Sequence, residues 1–352
     1  MTGYSAYILT GSNIILRLNF KGIAMKFLIA GFGSIGRRHM RNLMELGEKD
    51  ILFYRTLHST LPNDELADFP VETDLKAALA HKPDVVIIAN PTALHLDVAI
   101  PAAEAGCHLL IEKPISHSLD RIPALEAALR HGGGQALVAF QFRYHPTLRK
   151  AASLLAEGAI GRPLSARAHW GEYLPNWHPW EDYRQSYAAR RELGGGVALT
   201  LTHPLDYLRW LLGEVEAIYG VTGNISDLEI DVDDLAEIML RFTSGAVGSI
   251  HLDYYQRPPA HTLEISGTSG LIRWDNADGK LRLYRVSTEA WEVFSPPDGF
   301  ERNWLFLDET RHLLEIVRGN ASPLCTLQEG IRALQLTTAL HDSAKSRCEV
   351  RI

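Results

Sequence analysis

Four apolar residues, Phe27-Leu-Ile-Ala30, run without interruption into Gly31-Phe-Gly33-Ser-Ile-Gly36, after which Met40, Leu43, Met44 and Leu46 recur at helical spacing. This pattern predicts a buried strand that turns tightly into a helix. Further apolar runs follow at Ile51-Leu-Phe-Tyr54, Asp84-Val-Val-Ile-Ile-Ala89, His108-Leu-Leu-Ile111 and Ala136-Leu-Val-Ala-Phe140. Between them lie helical patterns over 75–79, 98–105 and 119–130. Strands without a polar face, alternating with helices, predict a doubly wound parallel sheet covered on both sides. This first domain is expected to span residues 25–143.

Beyond it the pattern changes to longer extended runs, at 164–173, 234–242, 246–255, 261–266 and 270–275. Ser244-Gly245, Thr268-Ser-Gly270 and Asp278-Gly279 separate several of them as turns. Neighbouring strands joined by short turns predict a largely antiparallel sheet, flanked by helices over 205–212 and 331–344. The expected architecture is therefore α/β in two parts, with residues 144–352 forming the second domain and the last helix able to pack back on the first. Residues 1–24 are expected to be an extension, because Met25-Lys-Phe-Leu-Ile-Ala30 already reads as a complete start.

A chain of 352 residues with 46% hydrophobic positions suits two domains with sizeable cores. The net charge of −7 and the lack of a dense Lys/Arg run argue against nucleic acid or an anionic membrane as partner. No stretch is long and apolar enough to predict a membrane span, and no secretory signal is expected. Cys107, Cys325 and Cys348 are too widely spaced to suggest a disulfide framework or a zinc site, so no metal is expected and a cytoplasmic location is.

In the first turn, Gly31 permits the sharp bend, Gly33 lets backbone approach phosphates, and Gly36 allows close helix-on-strand packing. With Phe32, Ser34 and Ile35 they form a G-x-G-x-x-G cradle for a dinucleotide pyrophosphate at a helix N-terminus. Ligands of parallel sheets bind beyond the carboxyl ends of the strands. Asn90-Pro91-Thr92, with His95, stands at one such end and either borders the cofactor or starts a helix capped by Thr92. Glu112-Lys113-Pro114 stands at another. Its lysine is either a solvated surface residue or an ammonium that stabilises an alkoxide developing on substrate oxygen. In the second domain Gly194-Gly-Gly leads to Thr200, His203 and Asp206. His203 is a candidate general base with Asp206 orienting its ring, or else a structural histidine near a helix start.

The fingerprint, the Glu112-Lys113-Pro114 stretch and the triple glycine leading to His203 resemble, in order and spacing, the Gfo/Idh/MocA family of sugar and inositol oxidoreductases. Val232-Asp-Asp-Leu-Ala236, Phe242-Thr-Ser-Gly245 and Ile265-Ser-Gly267-Thr-Ser-Gly270 extend the likeness over nearly the whole chain from Met25. The resemblance implies a Rossmann domain, a second α/β domain with an open antiparallel sheet, and a nicotinamide between them. It implies Lys113 and His203 as the catalytic pair, and a homodimer or homotetramer formed through the outer face of the second sheet. Many members carry an Asp three residues before the histidine, where this chain has Thr200; a threonine can hydrogen-bond substrate or lysine but cannot act as an anion.

The loop from Trp170 to Tyr187 is dense in aromatic residues. Tyr173, Trp177 and Trp180 can stack on a sugar ring while His178 and Arg184 bind hydroxyls or a carboxylate; a packed lid or subunit contact is the competing reading. Arg143, after the last Rossmann strand, is a further candidate clamp for an acidic substituent. Where NAD-preferring domains place a carboxylate for the ribose diol, this chain has Tyr54-Arg55-Thr56. With Arg55, Arg37 or Arg38 available to pair with a 2′-phosphate, NADP is favoured slightly over NAD. The expected reaction is hydride transfer between nicotinamide and a ring carbon bearing a secondary hydroxyl in a sugar, sugar acid, amino sugar or cyclitol. Two alternatives are transient oxidation by a retained cofactor, serving epimerisation or glycoside cleavage, and a non-enzymatic sugar or dinucleotide sensor.

Overall fold

The apolar runs of the first half become strands with no solvent-facing side. In a computed structural model that describes residues 4–6, 18–20, 25–56 and 64–352, they assemble as β3 (Phe27–Ala30), β4 (Ile51–Tyr54), β5 (Val71–Glu72), β6 (Val85–Ile88), β7 (His108–Glu112) and β8 (Ala136–Ala139). The order is β5-β4-β3-β6-β7-β8 and every pairing is parallel. Strand order reverses between β3 and β6, which opens a crevice at their carboxyl ends. Helices α1 (Ser34–Glu45), α2 (Leu75–Ala80), α3 (His95–Glu104) and α4 (Ile122–Gly132) connect these strands. The extension expected over residues 1–24 lies outside the described residues, apart from a ribbon of β1 (Tyr4–Ala6) antiparallel to β2 (Leu18–Phe20).

The second half builds a nine-stranded sheet from β9 (Pro163–Gly171), β10 (Val215–Gly223), β11 (Leu235–Phe242), β12 (Val247–Asp253), β13 (Ala260–Gly267), β14 (Gly270–Asp275), β15 (Lys280–Arg285), β16 (Ala290–Phe294) and β17 (Val350–Arg351). Its order is β16-β15-β14-β13-β9-β12-β11-β10-β17. β9 and β12 run parallel, and the other described neighbours in this sheet are antiparallel. Alternation shows the two faces plainly: on β11, Ala236, Ile238, Leu240 and Phe242 are buried while Glu237, Met239 and Arg241 are exposed. The inner face packs on α5 (Pro146–Ala156), α6 (Val197–Thr200) and α7 (His203–Leu212); the outer face faces solvent.

α8 (Asn303–Val317) and α9 (Leu327–Ser346) join the halves. Leu313, Leu314, Ile331 and Leu334 lie in the core of the parallel sheet, whereas Leu305, Phe306, Leu336 and Leu340 lie in the core of the second sheet. α9 begins with a capping box, Thr326 accepting from the Glu329 amide and Glu329 from the Thr326 amide, and Thr326 also bridges to Leu137 in β8. Among the described residues no helix is long and apolar enough to cross a membrane.

Candidate active site

At the crevice mouth, Gly31 has φ +99°, and a Cβ there would stand 2.7 Å from both Ala89 O and Asn90 N. No other residue lets the turn after β3 press on the end of β6 so closely. A Cβ on Gly36 would meet Gly31 O at 2.3 Å, so this position joins helix to strand. Gly33 is different. Nothing lies within 4 Å of the space its side chain would fill. α1 starts at Gly33 with no side-chain cap and no acidic residue in its first turn, which leaves its amides directed at open space. That is the donor set and the clearance a dinucleotide pyrophosphate needs. Ser34 follows at the helix start, and Ile35 packs toward the core of the second sheet.

Several residues expected around the cofactor do other work. Phe32 turns its ring inward against Phe53, 4.9 Å away. Arg37 donates to Glu65 at 2.7 Å, so it is engaged rather than waiting for a phosphate. Arg38 lies over the Phe306 ring, 4.4 Å from its centroid. Arg55 is buried at the end of β4, beside a partly buried Tyr54. His95 stands between two carbonyls, Pro114 O and Asn90 O, each at 2.9 Å, and pins the loops after β6 and β7 together. Asn90 donates to Leu94 O, Pro91 precedes the turn, and Thr92 makes no side-chain cap.

Lys113 follows β7, with a cis bond to Pro114. Its Nζ donates to the backbone carbonyl of Thr200 at 2.7 Å, which ties the first domain to the segment just before His203. Burial pushes the Lys113 amine down to about 8; the Glu112 carboxylate opposes this, Arg302 adds to it and Glu172 opposes it. Glu112 is itself fixed by His39 Nε2 at 2.9 Å. Burial would raise the Glu112 pKa, but that hydrogen bond and the surrounding positive groups hold it below the usual value.

His203 is 1% exposed, and neither ring nitrogen has a hydrogen-bond partner. It stacks on Trp170 with centroids 5.5 Å apart and meets Phe142 edge-on at 5.0 Å. Burial drives its pKa well below the ordinary histidine value, and Lys113, His261 and Arg302 push it the same way. The imidazole is therefore neutral, held by ring contacts, with a free acceptor nitrogen. An unpartnered buried polar atom carries a cost of about 1–3 kcal/mol, which a hydrogen-bonding ligand would remove.

Two expected roles meet a different geometry. Asp206 does not orient His203, and Arg143 does not wait for an acidic substrate. They hold each other: Arg143 Nε and Nη2 donate to Asp206 at 2.9 and 2.7 Å, and Nη1 donates to Glu329 and Leu324 O. Both are 1% exposed, so the pair is a buried tie among the turn after β8, α7 and α9. Thr200 meets Lys113 through its backbone carbonyl, and its side chain is buried.

In the aromatic loop, Tyr173 lies under the Arg257 guanidinium at 4.1 Å, and Trp177 meets Tyr254 edge-on at 5.5 Å. His178 is half-buried beside Trp180, which is 65% exposed. Arg184 is paired with Asp182 and Glu229, so it is not an idle carboxylate clamp. The residues missed from sequence are His39, Arg302, His261 and Trp170 as the floor under His203. Trp170 stacks on His261 at 4.1 Å with a 6° interplanar angle. The only sequence signal for it was its place in the aromatic stretch; His39 and Arg302 carried none.

Residues 25–140 match the family model described as an oxidoreductase family with an NAD-binding Rossmann fold, and residues 148–273 match the GFO/IDH/MocA C-terminal domain. The chain is 35% identical to levoglucosan dehydrogenase of Pseudarthrobacter phenanthrenivorans over 53% of its own length and 54% of that protein's, so the match spans about half of that relative. It is 26% identical to myo-inositol 2-dehydrogenase of Thermotoga maritima, over 93% of this chain and 98% of that one. A solved structure of levoglucosan dehydrogenase in complex with NADH superposes with a TM-score of 0.82 at 23% identity, covering 93% of this chain and 99% of that chain. With both halves matched in order and the two-sheet architecture in place, the chain belongs to the Gfo/Idh/MocA family of oxidoreductases.

Proposed function

We propose that this oxidoreductase moves a hydride reversibly between a nicotinamide dinucleotide and a ring carbon bearing a secondary hydroxyl in a sugar, sugar acid, amino sugar or cyclitol. The observation that carries the reading is the neutral, unpartnered His203 imidazole buried beside the Lys113 ammonium, at the meeting of the two domains. The uncapped α1 N-terminus and the clearance over Gly33 would hold the pyrophosphate. When bound, the nicotinamide supplies the hydride acceptor or donor. His203 takes the hydroxyl proton during oxidation and returns it during reduction. Lys113 holds the substrate oxygen and offsets the negative charge that grows on it. Trp170 and Phe142 keep the imidazole oriented and exclude water from it. Tyr173, Trp177 and His178 supply the outer wall for a sugar ring.

The dinucleotide is read as NADP ahead of NAD. With Arg37 on Glu65 and Arg38 over Phe306, that preference rests on the lack of a carboxylate in Tyr54-Arg55-Thr56. The exposed outer sheet face, with Tyr219, Val221 and Met239 in the open, supports the homodimer or homotetramer reading.

A panel of sugars, sugar acids and cyclitols, read by reduced-nicotinamide absorbance with both dinucleotides, tests the reaction and the cofactor choice together. Lys113→Ala and His203→Ala should each lower kcat by at least about 100-fold while dinucleotide affinity stays within about threefold. Turnover unchanged in both variants would remove the proposed roles.

A further inference from the structure

The parallel register of β9 and β12 sets His251 opposite His169 and Asp253 opposite Gly171. Residues two apart on a strand share a face, so the two histidines and the aspartate converge on the outer face of the sheet. Trp170, next to His169, points the other way and stacks on His203. The imidazole centroids are 4.6 Å apart, and His251 Nε2 lies 2.9 Å from Asp253 Oδ2. Candidate ligand atoms of all three residues fall within 4.8 Å of one another. Around a tetrahedral zinc ion the ligand atoms are about 3.4 Å apart, so modest side-chain rotation closes the set.

We propose that His169, His251 and Asp253 form a binding site for a divalent first-row cation of the zinc class, with Gln256 as fourth donor. Gln256 Oε1 already lies 2.6 Å from His169 Nε2. Two imidazoles with oxygen donors select zinc, cobalt or nickel over magnesium or calcium. The surroundings are those of a ligand set and not of loose surface histidines. Glu237 Oε1 stands 2.5 Å from His251 Nδ1, the carboxylate contact that fixes a metal-binding histidine, and it leaves the other nitrogen turned toward Asp253 Oδ2. Asp253 is 1% exposed; its Oδ1 accepts the amides of Tyr255 and Gln256, which locks the carboxylate and leaves Oδ2 toward the histidines. A Cβ on Gly171 would stand 2.3 Å from Asp253 Oδ2 and 2.4 Å from Gln256 Oε1, so the glycine makes the room these donors occupy.

His169 and His251 border a concavity of about 500 Å³ on the outer face, the same face read above as the subunit contact, where Arg273 is neutralised by Glu264 at 2.6 Å. A cation entering there replaces the proton shared by His251 and Asp253 and releases it to solvent. It cross-links the ends of β9 and β12, from which the loops at 172–187 and 254–259 depart. Those loops are themselves joined, Glu172 N to Asp253 O at 3.1 Å and Leu174 N to Tyr254 O at 2.9 Å. The ion therefore fixes, from outside, the strand that carries the Trp170 floor of the catalytic cleft. The expectation of no metal site rested on cysteine spacing, which a constellation of histidine and aspartate brought together by strand register escapes.

The test is calorimetric titration of the full chain, stripped with chelator, with zinc chloride alone. About one ion per chain should bind, raising Tm, and His169→Ala and His251→Ala should each weaken binding at least tenfold. Glu237→Gln, which leaves the ligands intact, should weaken it about tenfold. Circular dichroism of each apo variant establishes that it folds, and His169→Gln replaces any that does not. No saturable uptake, or uptake that none of these substitutions alters, would overturn the proposal. Cys348→Ser identifies binding at the exposed thiol, and loss of uptake in that variant alone would count against the site.

Discussion

Two residues set the expected pH profile. In the proposed roles, substrate oxidation needs His203 neutral and Lys113 charged. Burial holds the His203 pKa well below the usual histidine value, so protonation of this base cuts the rate only in moderately acidic solution. The Lys113 pKa is lowered to about 8, so its ammonium is lost as pH rises through that value. kcat/KM for oxidation should therefore be flat through neutrality, fall on the alkaline side near 8, and fall on the acid side only well below the ordinary histidine range. Replacing Lys113 by Arg should move the alkaline limb up by at least one unit even if the rate drops; an unmoved limb would show that another group titrates there. These two positions stood out in the sequence because each follows a recognisable apolar strand or glycine turn. Arg143 and Asp206 were misread for a physical reason. Sequence gives the charge and the neighbourhood of each, but not that they close on one another.

At the scale of elements, that closure is what positions α7. The Arg143–Asp206–Glu329 cluster joins the turn after β8, α7 and the first turn of α9, and α7 begins with His203. Arg143→Ala would leave the Asp206 carboxylate buried and unpaired, and should cost about 3–5 kcal/mol of stability. Pairing Arg143→Met with Asp206→Leu should recover most of it, measured by urea unfolding. A loss below about 1 kcal/mol, with KM rising only for acidic sugars, would return Arg143 to the substrate. Elements with a strong pattern were legible to within a few residues: β14 runs over the expected 270–275, and α7 and α9 begin somewhat earlier than expected. β16 was not legible, because Ala290-Trp-Glu-Val293 is exposed throughout and no buried face imprints a period on it. β10 was missed where the register shifts between Val215 and Ala217, which breaks alternation at the strand's start.

At the scale of the molecule, the two domains are not energetically separate. α8 places Leu305 and Phe306 in the core of the second sheet and Leu313 and Leu314 in that of the first; α9 does the reverse along its length, with Ile331 and Leu334 before Leu336 and Leu340. Neither core can come apart without exposing part of a helix that the other requires. Each such buried leucine contributes about 1.5–3 kcal/mol, so separating the cores would forfeit more than a domain of this size keeps as net stability. Thermal unfolding should therefore be one cooperative transition. A saturating dinucleotide, although it contacts mainly the first domain, should raise the melting of near-ultraviolet dichroism from both sheets by the same amount. Leu340→Ala, in the second core and far from the glycine turn, should lower that shared transition, leave its single-step form intact, and leave dinucleotide affinity unchanged below it. Two resolved transitions, with the dinucleotide moving only one, would show that the shared helices do not couple the cores.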